Sequence, residues 1–434
     1  MIVTITAFVA IAGLPLCGLW ALPLTGVNVL ERGRALAVAG AAGALALSVA
    51  MWLLSLAGIP WTRPLLLAIA VALAGAGWYA ARGVLEWPRR WRPSWTTAAA
   101  GLFVAVSAYG VATVRSSSGD LQYFWGPKAI RFAAAQKVDA HFLGDPNYFR
   151  LHPDYPPLIP LIYAWSILVA GRFAWMAVLM ITPVLLAASV AVIHGGSRWI
   201  AVLSAATLAH TFAVSYAAGG ADVPLVFFEV LTLGALTFPR DSRSSTAIAA
   251  IGIAGAVFSK VEGTTFAIAV IIALIVARRD SRSVVSMIAP AAVLLGSWLL
   301  FAGHFGLIDG YAMAGRPMVA ENIGRVLAAV VWAASYEIYW LPWIAPLVII
   351  AAGDYRRAFL PLTVSVLTLA AIVYFYTHAD DPAFWIASSA QRVLLTPLVA
   401  LLVAAAAASG EGGRQGQAKT PAEAPVETTA AATR

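Results

Sequence analysis

The sequence has very little charge and almost no cysteine. Charged residues make up 11% of its 434 residues, hydrophobic residues make up 61%, and the mean hydropathy is +0.83. A soluble domain carries about twice that share of charge, so the composition excludes an ordinary soluble protein. The single cysteine, Cys17, lies within the first apolar run, which excludes disulfides and cysteine-based metal sites.

Several recognisable signatures are missing as well. We find no alternating strand pattern of the kind that builds an outer-membrane barrel. We also find no phosphate-cradling glycine loop, nucleophile elbow or HExxH helix, which excludes the common soluble chemistries and ATP-driven transport. The net charge of +8 is interpreted as loop arginines that face the cytoplasm and anionic lipid, because no basic folded face for nucleic acid is evident.

Apolar runs of helix-spanning length recur along the chain. They predict an all-α, polytopic membrane protein with about thirteen transmembrane helices. The predicted spans are residues 2–24, 36–58, 65–82, 96–114, 174–193, 199–217, 222–238, 246–258, 263–277, 283–303, 326–352, 358–377 and 390–408. The segment 157–170 is interpreted as short or re-entrant, because only then do the two sides of the membrane alternate consistently.

Charge in the loops predicts the orientation. Arg82, Arg89, Arg90 and Arg92 mark a cytoplasmic turn, which places the loop 115–156 on the outer face. We therefore expect a multi-pass protein of the bacterial inner membrane whose site lies on the extracytoplasmic face.

The chain divides by composition into three parts. Residues 1–95 are predicted to be N-terminal transmembrane helices, and residues 96–408 a second transmembrane region that includes the loop 115–156. Residues 409–434 are rich in Gly, Ala, Pro, Thr and Glu, cannot bury a core and are predicted to be a disordered cytoplasmic tail.

The stretch from Asp120 to Leu158 is the predicted active site. It holds ten ionisable side chains and eight aromatic ones in a chain that is otherwise mostly apolar helix. Long loops rich in such residues are where function concentrates. This loop is also expected to carry short juxtamembrane helices.

Two groups in this stretch allow a structural and a functional interpretation. Asp120 follows a span and is either a turn residue or a carboxylate at the lipid–water boundary that acts as a general base or metal ligand. Lys128 and Arg131, three residues apart after Pro127, are expected on one helical face. They are either interfacial anchors or a cation pair that grips a phosphate.

Later positions carry the same ambiguity. His152 to Pro157 form a proline-stiffened entry to an apolar run, Asp222 is a helix N-cap or a site residue, and Lys260 and Glu262 lie between two short helices. Arg392 is an interfacial anchor or a phosphate ligand. Glu229 is a carboxylate within a span, which marks a functional candidate or a packed polar pair.

The order of these pieces resembles the GT-C superfamily of membrane glycosyltransferases. The matching pieces are Asp120 with Tyr123-Phe124-Trp125 and Lys128-Ala129, the segment His152-Pro153-Asp154-Tyr155-Pro156-Pro157-Leu158, Gly220-Ala221-Asp222-Val223-Pro224-Leu225, Ser259-Lys260-Val261-Glu262-Gly263, and Gln391-Arg392-Val393-Leu394-Leu395. Together they span roughly residues 100–408.

The resemblance implies an inverting glycosyltransferase. The family moves a sugar from a polyprenyl-phosphate carrier to an acceptor hydroxyl of a glycan, lipid or protein on the outer membrane face. Its loop aspartate, here Asp120, activates the hydroxyl or holds a divalent cation, and its phosphate-binding cations correspond to Lys128 and Arg392. No metal ligand is assigned, so a divalent cation is left open as a cofactor.

The complete predicted site has two catalytic carboxylates and ten substrate-binding residues. The catalytic residues are Asp120 and Asp154, and the substrate-binding residues are Tyr123, Trp125, Lys128, Arg131, His152, Tyr155, Asp222, Lys260, Glu262 and Arg392.

The sequence also departs from the family pattern. Three spans precede the loop where the family usually has one, and no soluble C-terminal domain follows. Asp120 has no acidic neighbour, so a two-carboxylate site would need Asp139, Asp154 or Asp222.

A transporter or flippase of a lipid-linked or anionic solute is the main competing function. It would use intramembrane charges such as Glu229 and Glu337. Two more candidate functions are a polysaccharide ligase or polymerase, which would share the lipid-phosphate donor, and a non-enzymatic assembly subunit.

Overall fold

The computed structural model describes most of the chain. It covers residues 2–25, 32–83, 94–113, 119–145, 147, 152–214, 217–238, 242–307, 322–335, 340–379 and 381–410. Within these residues every regular element is helical, which confirms the predicted all-α class. Glu337, Asp380, the arginines at 89, 90 and 92, and most of the predicted tail lie outside the described residues.

The helices fall into four consecutive groups. The first group is Ile2–Ala12, Leu14–Cys17, Ala21–Thr25, Arg32–Leu56, Arg63–Ala81 and Trp95–Thr113. The predicted loop contains a π-helical turn, Leu121–Trp125, and two short helices, Gly126–Ala135 and Ala140–Leu143. The central group is Leu158–Ala170, Trp175–Leu179, Ile181–His194, Arg198–Val214, Asp222–Thr237, Ser242–Ser259, Val261–Val276 and Ser281–His304. The last group is Asn322–Ser335, Leu341–Ala352, Tyr355–Thr377, Pro382–Val393 and Leu395–Ala408.

Helix length separates candidate spans from shorter apolar helices. Among the described residues, seven helices are long and apolar enough to cross a membrane: Gly33–Leu56, Arg63–Ala81, Trp95–Thr113, Trp175–His194, Ser281–His304, Tyr355–Thr377 and Pro382–Ala408. They support the predicted membrane location, whereas the expected count of thirteen spans is not reached. Leu158–Ala170 has 13 residues and is about 20 Å long, shorter than the ~30 Å hydrocarbon core.

Two predicted spans have the wrong boundaries. Residues 326–352 do not form one helix, because Trp340 adopts a left-handed backbone conformation with φ of 72° immediately before Leu341–Ala352. The last span begins at Pro382 rather than near 390, and it bends at Leu394 into Leu395–Ala408. Hydropathy did not reveal either boundary. Aromatic and apolar residues predominate around Trp340, whereas polar residues at 388, 389, 391 and 392 hide the start of the last helix.

Two helices occupy the centre of the bundle. All residues of Asp222–Thr237 except the last are buried, and so is every residue of Leu395–Ala408. A helix that is apolar on all sides is expected in a core, and the alanine run of the second helix allows close approach. The two helices pack against each other. By contrast, most residues of Arg63–Ala81 are not buried, as expected for a lipid-facing helix.

A second, smaller core lies beside the main one. Val326, Val330, Tyr376, Ile386 and Ala390 belong to it, and it joins the helices Asn322–Ser335, Tyr355–Thr377 and Pro382–Val393. The chain then passes from Pro382–Val393 into the main core through Leu395–Ala408. Arg392, in the last turn before this passage, therefore lies at the junction of the two cores.

Candidate active site

Five ionisable side chains from four distant segments meet in one ion-pair network. Lys260 Nζ lies 2.8 Å from Asp222 Oδ1 and 2.8 Å from Glu262 Oε1. The Arg392 guanidinium contacts the Asp120 carboxylate, and its Nη1 atom lies 3.8 Å from Asp222 Oδ2. The ion-pair network thus runs Glu262, Lys260, Asp222, Arg392, Asp120, with three carboxylates and two cations.

The local backbone geometry positions Asp222 and Lys260, which form the middle of the ion-pair network. Gly219 takes a positive φ of 75° just before Asp222, and its carbonyl oxygen accepts a hydrogen bond from Tyr163 Oη at 2.9 Å. Lys260 is extended between two helices. A Cβ atom at Gly263 would lie 2.0 Å from the carbonyl oxygen of Ala256, so only glycine allows this tight reversal.

The N-cap interpretation of Asp222 is wrong. Ala221 occupies the cap position without a side-chain hydrogen bond, and Asp222 is the first helical residue. Its carboxylate forms an ion pair with Lys260 instead. A buried carboxylate without a cation costs more free energy than a helix end without a cap.

Asp120 forms one end of the ion-pair network, and Glu262, whose side chain is 29% exposed, forms the other. It directly precedes the π-helical turn Leu121–Trp125, a kind of turn that is frequent at functional sites. Its side chain is 18% exposed and that of Arg392 is 23% exposed, whereas the side chain of Asp222 is 4% exposed. Burial raises the pKa of the Asp120 carboxyl, while the positive charge of Arg392 acts in the opposite direction. Of the two carboxylates that contact Arg392, Asp120 is therefore the more exposed.

A second cluster holds Lys128 in an aromatic setting, which we call the aromatic lysine site. It comprises Lys128, Trp125, His152 and Tyr155. Lys128 is 2% exposed, its Nζ donates to the His152 carbonyl oxygen at 2.5 Å, and it lies 5.2 Å and 6.0 Å from the ring centroids of Trp125 and Tyr155. The ammonium is thus held by π faces and a carbonyl dipole.

His152 contributes to the aromatic lysine site through an unusual backbone conformation. It has a positive φ of 49°, a conformation that is uncommon for a non-glycine residue. Its ring stacks on Tyr155 with centroids 4.7 Å apart. Burial, followed by the positive charges of Lys128, Lys260 and Arg392, lowers the pKa of His152 to about 4, so the imidazole is neutral at neutral pH. The aromatic lysine site and the ion-pair network therefore lie within electrostatic reach of each other.

Lys128 titrates in the physiological range. Burial lowers its pKa to about 7, and the negative charge of Asp154 acts in the opposite direction. Asp154 is anchored through its backbone, because its carbonyl oxygen accepts a hydrogen bond from Trp298 Nε1 at 2.7 Å. Asp154 thus lies beside the aromatic lysine site rather than at the contact between Arg392 and Asp120.

Two residues of the predicted site lie elsewhere. Arg131 does not share the surroundings of Lys128: its side chain is 51% exposed and its Nε lies 2.7 Å from Asp139 Oδ2. Its partner Asp139 is the N-cap residue of the next short helix, Ala140–Leu143. Tyr123 is 67% exposed. Neither belongs to the ion-pair network or to the aromatic lysine site.

The second carboxylate beside Asp120 is Asp222, one of the three considered from the sequence. Both contact Arg392. Among the described residues, no three His, Cys, Asp or Glu side chains group as a metal site. A divalent cation at Asp120 and Asp222 would have to compete with Arg392 and Lys260. The donor set therefore does not fit a metal, and we derive no step through one.

Four further residues were not identified from the sequence. Thr396 donates to Glu229 Oε1 at 2.8 Å in the buried bundle, Tyr376 and Ser389 share a hydrogen bond of 2.6 Å between their hydroxyls, and Trp298 anchors Asp154. The sequence indicated these residues only weakly. A Tyr or Trp within an apolar helix needs a polar partner, but the sequence does not identify that partner.

No family model matches the chain, and no curated protein or solved structure shows significant similarity to it.

Proposed function

We propose that this protein is an inverting glycosyltransferase. It takes a sugar from a polyprenyl-phosphate carrier and moves it to an acceptor hydroxyl of a glycan, lipid or protein on the outer face of the bacterial inner membrane. This activity belongs to cell-envelope glycan biosynthesis, and it follows the resemblance to the GT-C superfamily.

One observation carries this proposal: a partly exposed carboxylate contacts a half-buried guanidinium, and a buried ammonium lies nearby. Asp120 contacts Arg392, and the aromatic lysine site lies within electrostatic reach. A lipid-phosphate donor needs this combination, because its leaving group is an anion and its acceptor must lose a proton. Apolar helix faces can hold the prenyl chain.

The reaction follows from these groups. The acceptor oxygen attacks the anomeric carbon from the side opposite the phosphate, the bond between that carbon and the phosphate oxygen breaks, and the phosphate keeps the electron pair. Asp120 takes the proton of the acceptor hydroxyl, while Arg392 and Lys128 stabilise the charge that grows on the phosphate. The rings of Trp125 and Tyr155 stack on the sugar or the prenyl chain. Attack from the opposite side inverts the anomeric configuration.

Sugar transfer in proteoliposomes tests the proposal. The purified chain is supplied with polyprenyl-phosphate sugars carrying a labelled sugar and with a membrane extract as acceptor. We expect transfer in the wild type and a loss of about 10²- to 10⁴-fold in Asp120→Asn, the range for removing a general base. Asp354→Asn is the matched control, since Asp354 also pairs with an arginine, Arg357, at 3.2 Å. Equal rates in wild type and Asp120→Asn would assign the base to another carboxylate.

A transporter or flippase is the second candidate, and Glu229 is the observation that favours it. This carboxylate is 0% exposed and lies on the central helix Asp222–Thr237, and buried intramembrane carboxylates often belong to ion pathways. In a transporter the donor crosses the membrane intact and its sugar is not transferred. Following the sugar and the phosphate of the donor separately distinguishes the two candidates.

A further inference from the structure

The contact between Arg392 and Asp120 has a direct consequence for the proposed reaction, on which this inference rests. A carboxylate that is ion-paired with a guanidinium is a poor base, because the pairing favours the charged form. A guanidinium that is paired with a carboxylate is likewise not available to a phosphate. While the two groups are paired, each therefore blocks the other.

Arg392 has the geometry to exchange one anion for another. Its guanidinium contacts Asp120, and its Nη1 lies 3.8 Å from Asp222 Oδ2. It therefore lies between two carboxylates that differ in exposure and in the number of their ion-pair partners. Asp222 is fixed by Lys260 at 2.8 Å and is 4% exposed. Asp120 is more exposed and directly precedes the short π-helical turn Leu121–Trp125. Asp120 is therefore the partner that can be replaced, while Asp222 keeps the guanidinium in place.

The position of Arg392 in the fold also allows this exchange. Arg392 lies in the last turn of Pro382–Val393, which packs in the smaller core. Asp222 and the loop that carries Asp120 belong to the main core. A planar guanidinium binds carboxylate and phosphate oxygens with the same forked geometry, so a phosphodiester at this junction can replace the Asp120 carboxylate without a larger rearrangement.

We infer that the phosphodiester of the donor displaces Asp120 from Arg392, so that donor binding and release of the catalytic base are one event. The donor must then bind before the acceptor hydroxyl can engage Asp120. Two sources of such a phosphodiester exist in a membrane: a polyprenyl-phosphate carrier and an ordinary phospholipid headgroup. The proposal is that the polyprenyl carrier is the displacing ligand.

A binding experiment on the full chain tests the exchange. The probe is undecaprenyl methyl phosphate, a sugar-free phosphodiester, in a phosphate-free maltoside detergent, and undecaprenol is the phosphate-free control. The variants are Asp120→Asn, Arg392→Gln and the double variant. We expect Asp120→Asn to bind the probe at least about tenfold more tightly than wild type, because the competing anion is gone, and we expect no such gain when Arg392 is replaced.

Controls separate this result from other causes. Asp354→Asn changes the net charge equally and should not alter the affinity. Asp120→Ser should reproduce the gain of Asp120→Asn, and thermal melting of each variant checks its folding. Added phosphatidylglycerol should not displace the probe.

Each contrary result has a distinct meaning. If Asp120→Asn and wild type bind the probe equally, and both prefer it to undecaprenol, the exchange is overturned while the proposed transferase stands. If neither prefers the probe to undecaprenol, the exchange and the proposed donor class both fail. An equal gain in Asp354→Asn, or displacement by phosphatidylglycerol, also overturns the proposal.

Discussion

The ion-pair network and the aromatic lysine site hold buried positive charge in opposite ways. In the network, Lys260 lies 2.8 Å from each of two carboxylates. At the aromatic lysine site, Lys128 contacts a backbone carbonyl and two aromatic rings. The charge of Lys260 is therefore neutralised by carboxylates of the protein itself, and this lysine stabilises the fold. The groups in direct contact with Lys128 are neutral, and Asp154 supplies a negative charge nearby, as expected of a site that receives an anion.

The largest expected difference between the two sites is in the free energy of unfolding after each lysine is replaced. Lys260→Met leaves Asp222 and Glu262 without their shared cation, so we expect the free energy of unfolding to fall by about 3–5 kcal/mol. Lys128→Met removes a buried cation that is held by a carbonyl oxygen and two rings, so stability should stay within about 1 kcal/mol of wild type. Thermal melting and reversible unfolding in detergent measure both. Equal losses in the two variants would contradict the distinction, and Glu262→Gln combined with Lys260→Met should recover part of the loss.

For ligand binding, we expect Lys128 to matter more than Lys260. Lys128→Met should weaken binding of undecaprenyl methyl phosphate by roughly 10- to 100-fold, since a hydrogen bond to a charged group contributes about 1.5–3 kcal/mol. Lys128→Arg keeps the charge and should lose less. Equilibrium binding to the purified chain gives these values. Unchanged affinity in Lys128→Met would remove Lys128 from the phosphate site.

The pH dependence of binding sharpens the same contrast. The phosphodiester keeps its single negative charge throughout, whereas Lys128, with a pKa of about 7, is protonated below pH 7 and loses its proton above it. Affinity should therefore level off just below pH 7, and it should rise again at acidic pH where Asp120 becomes protonated and stops competing for Arg392. Above pH 7 it should fall by up to about tenfold per pH unit, because each unit removes nine-tenths of the remaining cation. Lys128→Arg should bind with a flat profile up to pH 9. A fall of equal steepness in that variant would assign the titration to another group.

The smallest expected effect concerns Glu229. Its Oε1 accepts from Thr396 at 2.8 Å, and Glu229→Gln can keep that contact. We expect transfer activity to remain within about threefold of wild type, equivalent to less than about 1 kcal/mol. If the protein is a transporter that uses this carboxylate, the same substitution should instead abolish movement of the lipid-linked donor. Paired transfer and movement assays on one preparation distinguish these outcomes.

Much of the architecture could be predicted from composition and hydropathy. The all-α class, the break at Lys260 between two short helices, and the concentration of helices and charges after Asp120 all followed from local patterns. Residues 326–352 did not form one helix, because the left-handed turn at Trp340 depends on packing that hydropathy does not report.

The assembly of the site was harder to predict. Asp120 and Arg392 are 272 residues apart in the sequence, and their contact depends on how two cores meet. The helix Asp222–Thr237 is buried on all sides, so its hydrophobic pattern does not say which neighbour each residue faces. For the same reason the sequence offered three carboxylates as partners of Asp120, and only the packing placed Asp222 beside Arg392.

One measurement tests the proposed transfer most directly. Proteoliposomes containing the wild-type chain are given a polyprenyl-phosphate sugar labelled with ³²P in the phosphate and ³H in the sugar, together with the membrane extract. We predict that the two labels separate: ³H appears in the acceptor while ³²P stays on the polyprenyl phosphate, in equal amounts. If both labels cross the bilayer together on an intact donor, the protein is a transporter and the proposed transferase is contradicted.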